Sequence, residues 1–130
     1  MGVNKTSLSA GELIRAVLTE DPEVNVRVGR IFPVFTEKAE LPYLLYRRVS
    51  MEQTPQKTGQ PGADTTQIEI VCFTEQYGEG VALAEAVRAA LDMRSASSGG
   101  LRMRSCMLTD SEESWQDDAY VQTLIFTVRM

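Results

Sequence analysis

The chain reads as an α+β domain: one mainly antiparallel sheet of about four to five strands with two helices packed on it, in the order α-β-β-β-α-β-β. Three observations lead there. Apolar residues recur at helical spacing in two separate stretches, one near the start and one after residue 75. Runs of β-branched and aromatic residues of strand length lie between and after them. Residues 30–46 describe two strands joined by a proline-bounded loop: Arg30-Ile31-Phe32-Pro33 is stopped by proline, and Leu41-Pro42-Tyr43-Leu44-Leu45-Tyr46 is entered through one. Proline has no N–H to give a ladder, so it sits at strand starts and edges.

Each element has its own warrant. Ser9 and Glu12 have capping-box spacing, and Ala10, Leu13, Ile14, Val17 and Leu18 make one apolar stripe behind them. Thr19-Glu20-Asp21-Pro22 ends that helix, because the residue before proline is pushed out of the α region. Residues 24–32 are expected to be mostly extended, with Gly29 at a bulge or bend, and residues 43–51 to form a strand carrying Arg47 and Arg48. Residues 52–64, with Pro55, Gly59, Pro61 and Gly62 and almost nothing apolar, read as a long loop that cannot offset its ordering entropy by burial.

Residues 65–74 alternate as a strand, with Thr66, Ile68, Ile70 and Cys72 on one face. Apolar Val71 and Phe73 on the other face mark it as an inner strand with a helix on at least one side. Thr74 is placed as the cap of a second helix over residues 75–93. Its spacing is followed by Val81, Ala84, Val87, Arg88 and Leu91, widened by Leu83 and Ala90. Residues 95–100 read as a turn, 101–109 as a strand, 110–118 as an acidic loop and 119–129 as the last strand, the final two strands forming a hairpin.

At 130 residues, 43% hydrophobic, the chain has the size of one domain (1–130) able to bury a core without disulfides or metal. Its net charge of -5 argues against sequence-independent binding to nucleic acid, which needs clustered Lys and Arg. No run approaches the roughly 18 apolar residues of a membrane span. Residues 1–7 are polar with no apolar run after them, so no secretory signal is expected and the compartment is read as reducing cytosol. Cys72 and Cys106 lie in apolar runs and read as buried free thiols.

Chemistry is sparse. There is no histidine, which removes the commonest general base and the commonest zinc ligand together. The three lysines, Lys5, Lys38 and Lys57, sit in polar stretches, and neither a nucleophile elbow nor a phosphate loop is present. Ser98-Gly99-Gly100 reads as a turn. An enzyme is not expected, and no cofactor is.

The acidic stretch (Asp110, Glu112, Glu113, Asp117, Asp118) is the one constellation resembling a site for calcium or magnesium, but it lacks EF-hand spacing and reads more plainly as a solvated loop. Trp115 within it is either tucked back on the sheet or a contact residue. Arg47 with Arg48, and Arg102 with Arg104, read as exposed strand positions balanced by nearby acids. Candidate partner contacts are Gln56, Lys57, Thr58, Gly59 and Gln60 in the long loop, with Glu112, Glu113 and Trp115 in the acidic stretch.

The order and spacing of several stretches resemble the bacteriophage tail-completion family, related in fold to tail terminators of long-tailed phages. They are Leu13-Ile14-Arg15-Ala16-Val17-Leu18; Gly29-Arg30-Ile31-Phe32-Pro33; residues 41–46; residues 67–77 leading into 84–91; and Tyr120-Val121-Gln122-Thr123-Leu124-Ile125-Phe126. The resemblance implies a structural virion protein forming a ring, usually hexameric, where the tail meets the head. Its partners would be itself, the tail tube protein and the head completion or connector protein. It would be made in the host cytoplasm and end in the virion. No role carries over to residues 110–118. Two other readings stand beside it: a generic intracellular protein-binding module, and a small enzyme with a divalent metal on the acidic stretch.

Overall fold

The computed structural model describes residues 5–37, 39–53 and 64–130. It opens with one turn of 3-10 helix, Ser7–Ser9, whose cap Thr6 accepts the Leu8 N–H. α1 (Ala10–Glu20) follows directly, and the expected capping role of Ser9 does not materialise. Ser9 is already turned (φ -96°, ψ 16°) and makes no side-chain cap bond, whereas a capping side chain needs an extended backbone. The apolar stripe is as the spacing predicts: Ala10, Leu13, Ile14 and Leu18 are buried and Val17 partly so.

Asp21 is extended before Pro22 and ends α1. It also starts a helix that the sequence reading places in a strand. Its Oδ1 accepts the N–H groups of Glu23 and Val24, both at 3.0 Å, and Pro22 takes the first helical position of α2 (Pro22–Asn25). Val24 is thereby buried. Only β1 (Arg30–Pro33) of that stretch is extended.

β1 pairs in parallel with β2 (Tyr43–Gln53), from Arg30 opposite Tyr43 to Pro33 opposite Tyr46. The connection, residues 34–42, is short for a parallel pair. It begins with a γ-turn in which Phe35 N–H donates to Pro33 O at 2.6 Å across Val34, held at φ 60°. The other strands of this sheet are β3 (Asp64–Thr74), β6 (Ser105–Gln116) and β7 (Ala119–Arg129), antiparallel to their neighbours in the order β1-β2-β3-β7-β6. β3 is the middle strand, and Thr66, Ile68, Ile70 and Cys72 are buried together on one face.

α3 (Tyr77–Leu91) starts two residues later than expected. Thr74 does not cap it; its hydroxyl donates to the Gln76 carbonyl at 2.9 Å instead. The buried face is Gly80, Leu83, Ala86, Val87, Ala90 and Leu91, so the helix is rotated from the expected stripe and Arg88 is exposed. Two features set that rotation. A Cβ on Gly80 would lie 2.7 Å from Thr74 Oγ1, so glycine lets the helix sit directly on β3. At the other end Asp92 Oδ1 accepts the Leu108 N–H at 2.9 Å, and Met93 N–H donates to Cys106 O at 2.7 Å.

Residues 95–100 are more than a turn. β4 (Ala96–Ser98) and β5 (Leu101–Met103) form a separate small hairpin about Gly99 and Gly100, both in the left-handed region at φ 57° and 83°. The expected strand 101–109 is therefore split. Residues 110–116 are also not a loop: β6 runs through them, and only Asp117 and Asp118 turn the chain, at φ 48° and 59°. Aspartate tolerates the left-handed region, and a two-residue turn of this hand suits the twist of a hairpin. Acid content marked the stretch as a loop; cross-strand pairing to β7 outweighed it.

α1 and α3 share one side of the five-stranded sheet, and the core lies between. Phe126, Leu44, Ile68 and Ile70 from the sheet meet Leu13, Ile14, Leu83 and Val87 from the helices, all at 1% exposure or less. Each such side chain contributes about 1.5–3 kcal/mol by leaving water.

Candidate functional site

Strand alternation across a known register sorts the surface residues. Glu112 lies opposite Thr123, which shares its face with Val121 and Ile125; Glu113 lies opposite Gln122 on the helix-bearing side. The two adjacent glutamates predicted as one contact site therefore belong to opposite faces of the sheet.

On the helix side, Glu113 sits in a polar-aromatic cluster at the start of α3. Its Oε2 accepts from Gln122 Nε2 at 2.8 Å and from the Tyr77 hydroxyl at 2.7 Å. Those two donors, Gln122 first, hold the carboxyl below its ordinary range, and the same carboxylate pushes the Tyr77 phenol up. Trp115 stands edge-on to Tyr120 with centroids 4.8 Å apart, and Tyr120 edge-on to Tyr77 at 5.8 Å. Trp115 is thus packed on the sheet and yet 55% exposed. The sequence does not mark Tyr77, Tyr120 and Gln122 as contacts: the β6–β7 register sets Tyr120 opposite Trp115 and Gln122 opposite Glu113, and the start of α3 brings Tyr77 to Tyr120 and Glu113.

The other face of the sheet carries no helix among the described residues. Here Phe32, Tyr43 and Phe73 form an aromatic row: Phe32 edge-on to Tyr43 at 6.1 Å, Tyr43 stacked on Phe73 at 4.6 Å. Burial, and then the Asp117 carboxylate at the hairpin tip, raise the Tyr43 phenol. A groove of about 420 Å³ continues the row, floored by Val71, Phe73, Val121 and Ile125 and edged by Glu69, Asp110 and Glu112. The sequence signal for this floor is Val71 and Phe73: they mark β3 as an inner strand with a helix on at least one side, and the helices lie on the opposite face from these two residues.

The arginine pairs behave differently from one another. Arg47 bridges Glu69 at 2.8 Å and Arg48 donates to Leu8 O at 2.8 Å. Arg102 and Arg104 are exposed and make no ion pair among the described residues. The thiols of Cys72 and Cys106 are free and buried, and burial pushes both up to about 12, which leaves neither a nucleophile near neutrality. Among the described residues no three acidic or cysteine side chains converge as a metal site requires, and the acids of β6 diverge because a strand points them to alternate faces. Among the described residues no helix is long and apolar enough to cross a membrane. Gln56, Lys57, Thr58, Gly59 and Gln60 lie outside the described residues.

What the geometry offers is surface for contact: an open sheet face, an open β6 edge and an aromatic tip. The family described as Tail completion protein gp17 matches residues 12–130, and the chain belongs to that family of structural phage virion proteins. Among solved structures, a chain from the virion of a native gene transfer agent particle superposes with a TM-score of 0.80. The match covers 95% of this chain and 98% of that one at 16% identity, so the likeness is one of fold. A search of curated proteins found no match.

Proposed function

We propose that this chain, acting as one domain over residues 1–130, completes the phage tail and joins it to the head connector as a closed ring of copies, six in the virion. The observation that carries this reading is the match to the tail completion family over residues 12–130. Heterologous contacts between identical subunits close into rings when the rotation allows. A net charge of -5 suits a ring around a DNA channel, since it repels phosphates rather than gripping them. The partners are further copies, the tail tube protein and the head completion or connector protein, met in the host cytoplasm before the protein enters the virion. Gln56, Lys57, Thr58, Gly59, Gln60, Glu112, Glu113 and Trp115 serve as partner contacts.

Electron microscopy of particles lacking this gene tests the proposal. Separate heads and tails, or tails of abnormal length, are the expected result. Intact virions of normal tail length would overturn it. Normal head–tail joining by a variant lacking residues 54–62 would remove Gln56, Lys57, Thr58, Gly59 and Gln60 from the list of contacts.

A further inference from the structure

Charge is segregated along the β6–β7 hairpin. Residues 105–128 contain no lysine or arginine and hold Asp110, Glu112, Glu113, Asp117 and Asp118 toward the tip. The other end of this hairpin is rich in arginine, with Glu52 and Asp64 two strands and one strand away from Arg129. Arg94, Arg102, Arg104 and Arg129 are all exposed there, gathered by the β4–β5 hairpin and by the bond from Arg104 N–H to Arg129 O at 2.7 Å. Among the described residues none of these four arginines forms an ion pair, and neither do Asp110, Glu112, Asp117 and Asp118. A strand of β6's length spans roughly 35 Å at about 3.3 Å per residue. Salt screens charges beyond about 8 Å, so the two ends cannot neutralise one another within one molecule.

Each end also carries exposed apolar side chains. Trp115 and Tyr77 stand at the acidic tip, 55% and 49% exposed; Met93 and Met107 stand at the arginine end, 77% and 49% exposed. Arginine over tryptophan and methionine against aromatic rings are favourable pairings.

We infer that the acidic tip of one copy docks on the arginine end of the next, a head-to-tail contact between identical chains. The inference rests on the ring proposed above and names its two surfaces. The second copy is the occupant because the chain itself supplies a surface of opposite sign and matching apolar character. Edge-to-edge strand pairing is not the mode. The β-bulge at Thr109 and the carboxylates on the outer half of β6 disfavour it, so side chains make the contact.

Charge exchange tests this on the full chain. Glu112 and Arg102 are exposed, and their side chains make no ion pair among the described residues, so Glu112→Arg and Arg102→Glu should both fold, which circular dichroism and melting verify. Sedimentation is then measured at low and high salt. The wild type is expected to associate at low salt, and at least tenfold more weakly at high salt. Each single variant alone should lose association at least tenfold. The double variant in one chain should recover it, as should an equal mixture of the two singles.

Singles that associate like the wild type, or a folded double variant that does not recover, would overturn the contact. In either case, rings seen on particles would leave the ring standing on other surfaces. A wild type that stays monomeric at every concentration and salt would overturn the contact between free copies. Recovery confined to a dimer would keep the contact and overturn the ring. Loss of binding to a basic tail or connector protein, without self-association, would assign the tip to that partner instead.

Discussion

Asp92, the residue that ends α3, accepts the backbone N–H of Leu108 at 2.9 Å. One carboxylate therefore fixes both the end of a helix and the start of a β-bulge, since the register shift in β6 begins at Leu108. Leu108 N–H, ahead of Arg88, holds this carboxyl below the ordinary range. A carboxyl lowered by folding contributes stability that is present above about pH 4 and lost as pH falls through its folded value. Asp92→Ala should destabilise the protein by about 1–2 kcal/mol at pH 7, and by much less at pH 2.5. Urea titrations at the two pH values measure the difference; equal losses at both would refute the assignment.

The approach of α3 to β3 depends on Gly80. Gly80→Ala should cost about 1–3 kcal/mol, because the new Cβ meets Thr74 Oγ1 at 2.7 Å and that side chain is buried with its hydroxyl bonded to Gln76 O. Thr74→Ala removes the clashing atom. In a double-mutant cycle the pair should therefore be less damaging than the sum of the singles. Strict additivity would show that the helix is held off by something else.

Thr66 is fully buried on the core face of β3, and its hydroxyl has no hydrogen-bond partner among the described residues. An isosteric apolar replacement removes an unsatisfied polar group without opening a cavity. Thr66→Val is expected to be neutral or to stabilise by about 1 kcal/mol, read from the urea midpoint. A clear loss of stability would mean that the hydroxyl has a partner.

Glu113 raises the phenol of Tyr77 through the 2.7 Å bond between them. Glu113→Gln should bring Tyr77 back toward about 10, the ordinary tyrosine value, followed by NMR of carbon-labelled tyrosine. An unchanged Tyr77 would place the cause elsewhere in the cluster.

Legibility in the sequence tracked how local each cause was. The stripe of α1 and the alternation of Thr66, Ile68, Ile70 and Cys72 depend on spacing alone, and both were readable. α2 was missed because Val24, Val26 and Val28 favour strands, while a single side chain, Asp21, bonding two N–H groups turns the chain helical. The rotation of α3 depends on Gly80 against Thr74, a contact made only once the chain turns from β3 into the helix, and on Asp92 against Leu108, sixteen residues away. Among the candidate contacts, Trp115 stood out by its chemistry. That Glu112 and Glu113 part to opposite faces followed only once residues 110–116 proved to be a strand. The open sheet face was legible as apolar positions, but not as uncovered.

β7 has two neighbours with very different histories. β6 reaches it through Asp117 and Asp118 alone, whereas Thr65 of β3 meets Arg129 with α3 and a second hairpin intervening. Hairpins close in microseconds, while pairings between distant residues slow folding. These separations predict an order for the sheet: β6–β7 first, β3 afterward. Asp118→Gly, which relieves a left-handed backbone, should speed refolding, whereas Phe73→Ala on β3 should mainly speed unfolding; chevron plots separate the two. On that order Ile68, Ile70 and Cys72 stay uncovered until β3 arrives, and aggregation of nascent copies is expected to be greatest in that interval.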